Sequence, residues 1–376
     1  MRRSMFVLVG VALLLSFTVL VGCGGTSTTT TTAAAGDTTT TAAEDTTTTA
    51  ETLDDTVYEL SIAHIWPATH AIQTRLIDPM AKEISDATDG KVKLVSYPGG
   101  TLLKGPEVYE GVVTGVADMG ISVYGYNAGR FPVVEAFLLP GISWATAKSA
   151  GEAVTEGLQM YGEQEISDTH VFMSFATGPG EMLMKVPVRT LADMKGLEIG
   201  ATAGPRGDGL KLLGATPVVL PMPEVYEAQS RGVIKGVVGP YEAMTGFKLA
   251  DVTDYITDTP FLYVNYFFLN MNKDKFDALP APYQEALTTI MDKYYNDVAL
   301  GLFDDLNKEA LDAAMSTKKI EMITLPDAEQ TLWKEKLAPI FTDYQAVLDG
   351  KGLDGAKIIE TVRQLSDKYN AMYPAQ

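Results

Sequence analysis

One stripe of apolar side chains near the end of the chain limits the folds open to it. Between Ala281 and Met315, Tyr283, Leu287, Ile290, Tyr294, Val298, Leu302, Leu306 and Leu311 recur mostly every three or four positions. That is the spacing of one helix face. Continuous, such a helix would run roughly 50 Å at about 1.5 Å per residue, more than one small lobe can cover. A rod of this length is accommodated when it lies across two lobes as a spine. Gly301 is where it would bend. A break there into two helices is the competing reading, since glycine weakens a helix interior by about 1 kcal/mol.

The preceding chain alternates strands and helices, which favours α/β lobes with largely parallel sheets. Tyr58–His64 places Leu60 and Ile62 on one strand face. Ala71–Thr88 has helical spacing at Ile72, Leu76, Met80 and Ile84, with Pro79 set to interrupt its first part. Lys91–Tyr97 and Asp118–Tyr124 read as strands, joined by a helix from Pro106 to Val116. In a doubly wound sheet the ligand crevice lies beyond the strand C-termini, here the loops 66–70, 97–104 and 124–131. A second lobe follows, with strands at 170–177, 182–187 and 197–202 and a short one at 217–220. Its helices run over about 207–213 and 223–231, and 233–239 leads to the Pro240-Tyr241-Glu242 loop. Strand 319–325 and helices 332–348 and 356–372 close the chain.

The N-terminus points outside the cytoplasm. Arg2 and Arg3 precede an apolar run, Met5–Leu20, that ends in Leu20-Val21-Gly22-Cys23. A short apolar core with basic residues before it and small residues after it is a secretory signal. It is short for a bilayer span, which needs about 20 residues. Leu-Val-Gly-Cys resembles a bacterial lipobox, so residues 1–22 read as a lipoprotein signal peptide and Cys23 as its lipidated first residue. Cys23 is the only cysteine, so no disulfide partner explains it. Residues 24–55 are Thr, Ala, Gly, Ser, Asp and Glu with Leu53 the one large apolar side chain. Such a segment cannot bury enough surface to offset the entropy of ordering it and reads as a tether over residues 23–56.

Composition excludes several functions. The net charge of −19 argues against nucleic acid as a partner, since phosphate binding needs a basic face. It equally argues against resting on anionic lipid, leaving the membrane to the anchor alone. With three histidines and one cysteine, a zinc site of those ligands and a cysteine nucleophile are both disfavoured. No cofactor or metal motif is present. Gly204-Pro205-Arg206-Gly207-Asp208-Gly209 has the wrong spacing for a dinucleotide loop and reads as a turn at a helix start.

Several segments agree with a known family in order and spacing. They are Tyr97–Leu102 (YPGGTL), Gly115–Gly120 (GVADMG), Met194–Ile199 (MKGLEI), Leu213–Val218 (LGATPV), Pro223–Ala228 (PEVYEA), Arg231–Gly236 (RGVIKG), and Asn272-Lys273 through Leu279-Pro280. This pattern resembles the solute-binding subunits of tripartite ATP-independent periplasmic (TRAP) transporters, of DctP type, over about residues 57–336. The resemblance implies a two-lobed, periplasmic-binding-protein-like clamshell with a long helix crossing both lobes. It further implies a small organic acid as ligand, no enzymatic activity, and delivery to a separate permease driven by an ion gradient. The lobes are expected at 57–180 plus 266–300 and at 181–265 plus 301–376, the latter including the closing helices, in a monomer.

The chain departs from that family where a carboxylate is usually clamped. Most members carry Lys-Gly-x-Lys-Ile-Arg, whose arginine pairs with the ligand; the matching position here is Gly200. The usual Val-Val-Asp-Gly reads Val233-Ile234-Lys235-Gly236, and Val238 and Gly239 replace polar residues. Either Arg206 on the following loop supplies the charge, or the ligand lacks a simple carboxylate. The strand-end loops add His64, Trp66 and His70, then Tyr124 and Tyr126, then Glu181 beside a Gly-Pro-Gly crossing, and Tyr241 with Glu242 on the second lobe's rim. Their aromatic content suits a ligand with an apolar or aromatic part. Two competing readings are a receptor for an ATP-driven importer, and a secreted hydrolase using Glu181 or Glu242 with His64 as acid–base groups.

Overall fold

The computed structural model describes residues 55–375. The signal, Cys23 and nearly all of the tether lie outside the described residues. In chain order the first strands are β1 (Tyr58–His64), β2 (Val92–Tyr97), β3 (Met119–Val123), β4 (Thr169–Ala176), β5 (Glu181–Met184) and β6 (Glu198–Ala201). They are followed by β7 (Thr216–Val219), β8 (Gly236–Gly239), β9 (Tyr255–Asp258), β10 (Tyr266–Asn272) and β11 (Glu321–Thr324).

Two sheets result, in the orders β2-β1-β3-β10-β4 and β11-β9-β5-β8-β6-β7. Both are mixed rather than largely parallel. β10 runs antiparallel to β3 and β4, and β5 runs antiparallel to β8 and β9. Each of these strands enters its sheet directly from the other lobe, without the helical crossover that parallel neighbours need.

The central strands of both sheets are covered on both faces, which is why β3, β5, β8 and β10 are buried nearly throughout. Along β10, Tyr266 and Phe268 enter one core of the first lobe while Phe267, Leu269 and Met271 enter the other. In the second lobe Met182 and Met184 face one core and Leu183 the opposite one. Burial on both faces hides the period-two signal of β10, and β9 is too short, at four residues, to show one; these are the two strands that the sequence pattern did not reveal.

The spine is one uninterrupted helical rod. Ala281–Tyr294 continues through a wide π-helical turn, Tyr295–Ala299, into Leu300–Thr317. There is no break at Gly301, where even an added Cβ would meet no atom within 4 Å. Tyr283, Leu287, Ile290, Phe303 and Leu306 pack on the first lobe, whereas Leu311 and Ala314 pack on the second. The rod therefore changes lobes after Leu306, later than the expected residue 300. The Ile72–Ile77 π turn likewise runs on into the helix Asp78–Ala87, so Pro79 widens the turn before it rather than breaking the helix.

The closing segment differs from expectation. Helix Asp327–Leu337 is separated from Pro339–Gly350 by Pro339, and only the first stays with the second lobe, through Trp333 and Leu337. Tyr344, Leu348, Ile358, Val362 and Leu365 return to the first lobe, against Phe137 and Val154. The C-terminal helices thus belong with the lobe that the chain built first.

Besides the spine, the chain passes between the sheets at residues 177–180 and 259–265. These segments bond to each other: Thr177 N donates to Asn265 O (3.0 Å), Asn265 N to Thr177 Oγ1 (3.0 Å), and Gly180 N to Tyr263 O (3.2 Å). Gly178 has φ +70°, and a Cβ there would lie 2.8 Å from Ala147 N. No other residue fits this turn without displacing backbone.

Candidate ligand-binding cleft

A small cavity of about 40 Å³ lies between the two sheets. Its walls come from the loops after β1 and β3 on one side, those after β6, β7 and β8 on the other, and the crossing segments behind. Most of the lining is apolar or aromatic: Ile65, Trp66, Val123, Leu220, Val238, Phe247 and Phe267 among others. Trp66 is held edge-on against Phe267 at 5.2 Å between ring centres.

The polar group that dominates this cavity is Arg206. The short helix Pro205–Leu212 follows β6, with Pro205 setting its first turn, so residue 206 turns back toward the cleft. Its side chain is only 3 % exposed. Nη1 donates to Thr202 Oγ1 (3.0 Å) and Nη2 to Val264 O (2.5 Å), while Nε has no partner. The guanidinium sits 4.3 Å from the centre of the Tyr263 ring. Among the described residues no carboxylate pairs with it. Burial consequently draws its pKa below the usual arginine value. A guanidinium in this state is a donor prepared for an anion, because burying an unpaired charge is costly.

Gly200, where the family arginine would stand, cannot carry one without rearrangement. A Cβ there would meet Ile234 Cδ1 at 3.1 Å and Val237 Cγ2 at 3.4 Å. Apolar packing has closed that position, and the available cation stands six residues later on the next helix.

Two contacts join the cavity walls across the cleft. Met222 N donates to Tyr126 Oη at 3.0 Å, and the His70 ring bonds Glu242 Oε1 at 2.5 Å. His70 Nδ1 accepts from Ile72 N (3.0 Å), which leaves Nε2 as the donor to Glu242. Both side chains are almost fully buried. Asn307 on the spine ties this contact to the crossing segment: its Oδ1 accepts from Glu242 N (2.9 Å) and its Nδ2 donates to Thr177 O (3.0 Å). Gly246 is required here, since a Cβ would lie 1.9 Å from Glu242 Oε1. The cleft is therefore in a closed arrangement.

Of the residues singled out from the sequence, Trp66, Tyr126, Arg206 and Glu242 line the cavity, and His70 stands directly behind Glu242. Four do not reach it. His64 Nε2 bonds Gln73 (2.7 Å) and Ser96 (3.1 Å), and burial lowers its pKa. Tyr124 lies inside the first lobe with its hydroxyl on Ser174 (2.8 Å). Both sit where strand alternation turns the side chain into the sheet's own core. Glu181 accepts from Thr259 N inside the second lobe, where burial raises its pKa well above the carboxylate range. Tyr241 packs against that lobe's core beside Met222 and Phe247. Sequence reasoning missed Thr202, Tyr263, Asn265 and Asn307. The available signal was a buried asparagine inside the aromatic run 261–268; nothing local marked the other three.

Two α/β lobes, four chain crossings and a buried cation between them define a clamshell binding protein. Residues 62–346 match the family model of bacterial extracellular solute-binding proteins, family 7 (DctP), and the chain belongs to that family. A marine metagenome TRAP solute-binding protein specific for aromatic acids, in complex with metahydroxyphenylacetate, superposes with a TM-score of 0.78 at 28% identity, covering 83% of this chain and 99% of that one. A TRAP solute-binding protein from Rhodoferax ferrireducens with copurified benzoate gives 0.77 at 27% identity, with 84% and 99% covered. One from Desulfovibrio salexigens, an open complex, gives 0.69 despite 32% identity, with 83% and 96% covered. The weaker overlap with the open form accords with the closed cleft seen here. Such proteins are receptors, and this chain is a non-enzymatic, extracytoplasmic solute-binding protein. Among the described residues no helix is long and apolar enough to cross a membrane.

Proposed function

We propose that this receptor captures a small organic acid with an aromatic or otherwise apolar body and delivers it to a TRAP permease. The observation that carries the reading is Arg206, a buried guanidinium with an unpaired Nε in a largely apolar cavity. A carboxylate at Nε would supply the missing counter-charge, and a ring would fill the space beside Trp66 and Phe267. Capture is domain closure: ligand contacts from both walls favour the closed state over the solvated open one. The aromatic acids held by the two similar structures support this choice of ligand.

The hydrolase reading loses its chemistry, because His64 is turned away from Glu242 and Glu181 is buried elsewhere. The family match favours a TRAP permease over an ATP-driven importer. The test is calorimetric titration of the purified protein with benzoate, 3-hydroxybenzoate, mandelate and succinate, with mass spectrometry of the recovered compound. Tight binding of at least one acid, returned unchanged, is expected; failure of all four to bind, or their turnover, would refute the proposal.

The same reading places the receptor on a membrane through lipid on Cys23, on the outer face of the cytoplasmic or another bacterial membrane, as a monomer. Cys23→Ser should move the protein from the detergent-extracted membrane fraction to the soluble one; an unchanged distribution would remove the anchor.

A further inference from the structure

The cavity has a second pole. Among the described residues, Arg206 and Glu242 are the only charged side chains in its lining. Glu242 is 3 % exposed. Its Oε1 accepts the hydrogen bond of His70 Nε2–H, and its backbone N–H is fixed by Asn307 on the spine. Among the described residues none donates a hydrogen bond to Oε2. No lysine and no second arginine stands in the lining to neutralise another anion. His70 leaves the negative charge of Glu242 in place, because its Nδ1 accepts from the Ile72 backbone N–H and its ring is then the neutral Nε2–H form.

We propose that Glu242 is a specificity-determining residue: it restricts the ligand to a monocarboxylate, rejects a second carboxylate beside it, and accepts a hydrogen bond from a hydroxyl or amine there. This rests on the reading that Arg206 holds the ligand's carboxylate. A second carboxylate would be buried with no cation to meet it and a like charge in the same dry cavity. Juxtaposed like charges in a closed site cost several kcal/mol, which corresponds to a hundredfold or more in affinity. A neutral donor at the same position would satisfy Oε2. Selection thus comes from repulsion at one end as much as from attraction at the other.

The test compares three rings of one shape on the wild-type protein by calorimetry: benzoate, 3-hydroxybenzoate and isophthalate. Isophthalate is expected at least about a hundredfold weaker than 3-hydroxybenzoate, with benzoate between them. In Glu242→Gln the side-chain oxygen can still accept from His70, so closure is retained. The penalty on isophthalate relative to benzoate should then shrink about tenfold or more. Isophthalate binding within threefold of benzoate in the wild type would overturn the proposal while leaving Arg206 as the anchor. An unchanged isophthalate-to-benzoate ratio in Glu242→Gln would also overturn it. Absence of binding by any of the three acids would overturn the carboxylate reading and this inference with it.

Discussion

Replacing Arg206 by methionine separates a binding cation from a structural one. In the ligand-free closed protein the guanidinium gives up hydration, at a cost of several kcal/mol for a buried ion. Against this stand two hydrogen bonds, to Thr202 and Val264, worth about 1.5–3 kcal/mol each for a charged donor. The cation over the Tyr263 ring at 4.3 Å adds about 2 kcal/mol when desolvated. The opposing terms are of similar size, so Arg206→Met should change the stability of the free protein by no more than about 2 kcal/mol in either direction. Binding is different, because only a ligand carboxylate completes the site. Loss of a charge-assisted contact of this kind costs about 2–5 kcal/mol, or roughly 30- to several-thousand-fold in affinity. The assay is urea unfolding with and without saturating benzoate or 3-hydroxybenzoate. Wild type should gain about 3–4 kcal/mol at a hundred to a thousand times its Kd, and the variant should gain no more than about 2 kcal/mol at the same concentration. A variant destabilised by 4 kcal/mol or more without ligand, or one that keeps its ligand-induced gain, would refute the reasoning.

Two further outcomes are expected. Tyr126→Phe removes the cross-cleft bond to Met222 N, worth about 0.5–1.5 kcal/mol; solution scattering should give a larger radius for the free protein and titration a Kd about threefold to tenfold weaker, and identical values would deny the bond a role in closure. Glu165 caps the helix start at Val133 and Val134, and burial pushes its pKa up to about 7. The folded state therefore keeps this proton where the unfolded chain has lost it, and the group's contribution falls as pH rises from about 4.5 to 7. Glu165→Gln should lose less stability than wild type between pH 5 and 8, by of order 2 kcal/mol in urea unfolding, and parallel pH profiles would contradict that assignment.

The legible parts of this molecule are those written in local spacing. The spine stripe, the strand–helix alternation up to β3, and the local disturbance at Pro79 each depend on neighbours within a turn or two. β9 and β10 were not legible, because a strand of four residues is too short to show alternation and one buried on both faces loses it. Nor was the return of the last two helices to the first lobe, since Ile340 and Val362 are equally apolar against either core. At the site, strand-end position identified Trp66, Tyr126 and Glu242, but it equally nominated Tyr124 and His64, which face inward. A loop position does not state which way its side chain turns.

By itself the sequence determined that the chain makes two α/β lobes bound by one long helix, and it offered Arg206, on the loop after Gly200, as one of two ways of meeting the ligand. Periodicity and spacing suffice for such conclusions because they are properties of adjacent residues. The tertiary structure alone decided that Arg206 stands unpaired, that Glu242 is claimed by a histidine 172 residues away, and that Asn307 links that pair to the crossing strands. Charge compensation is a property of space, fixed only once distant segments meet, and in this cleft it separates a structural arginine from one that awaits an anion.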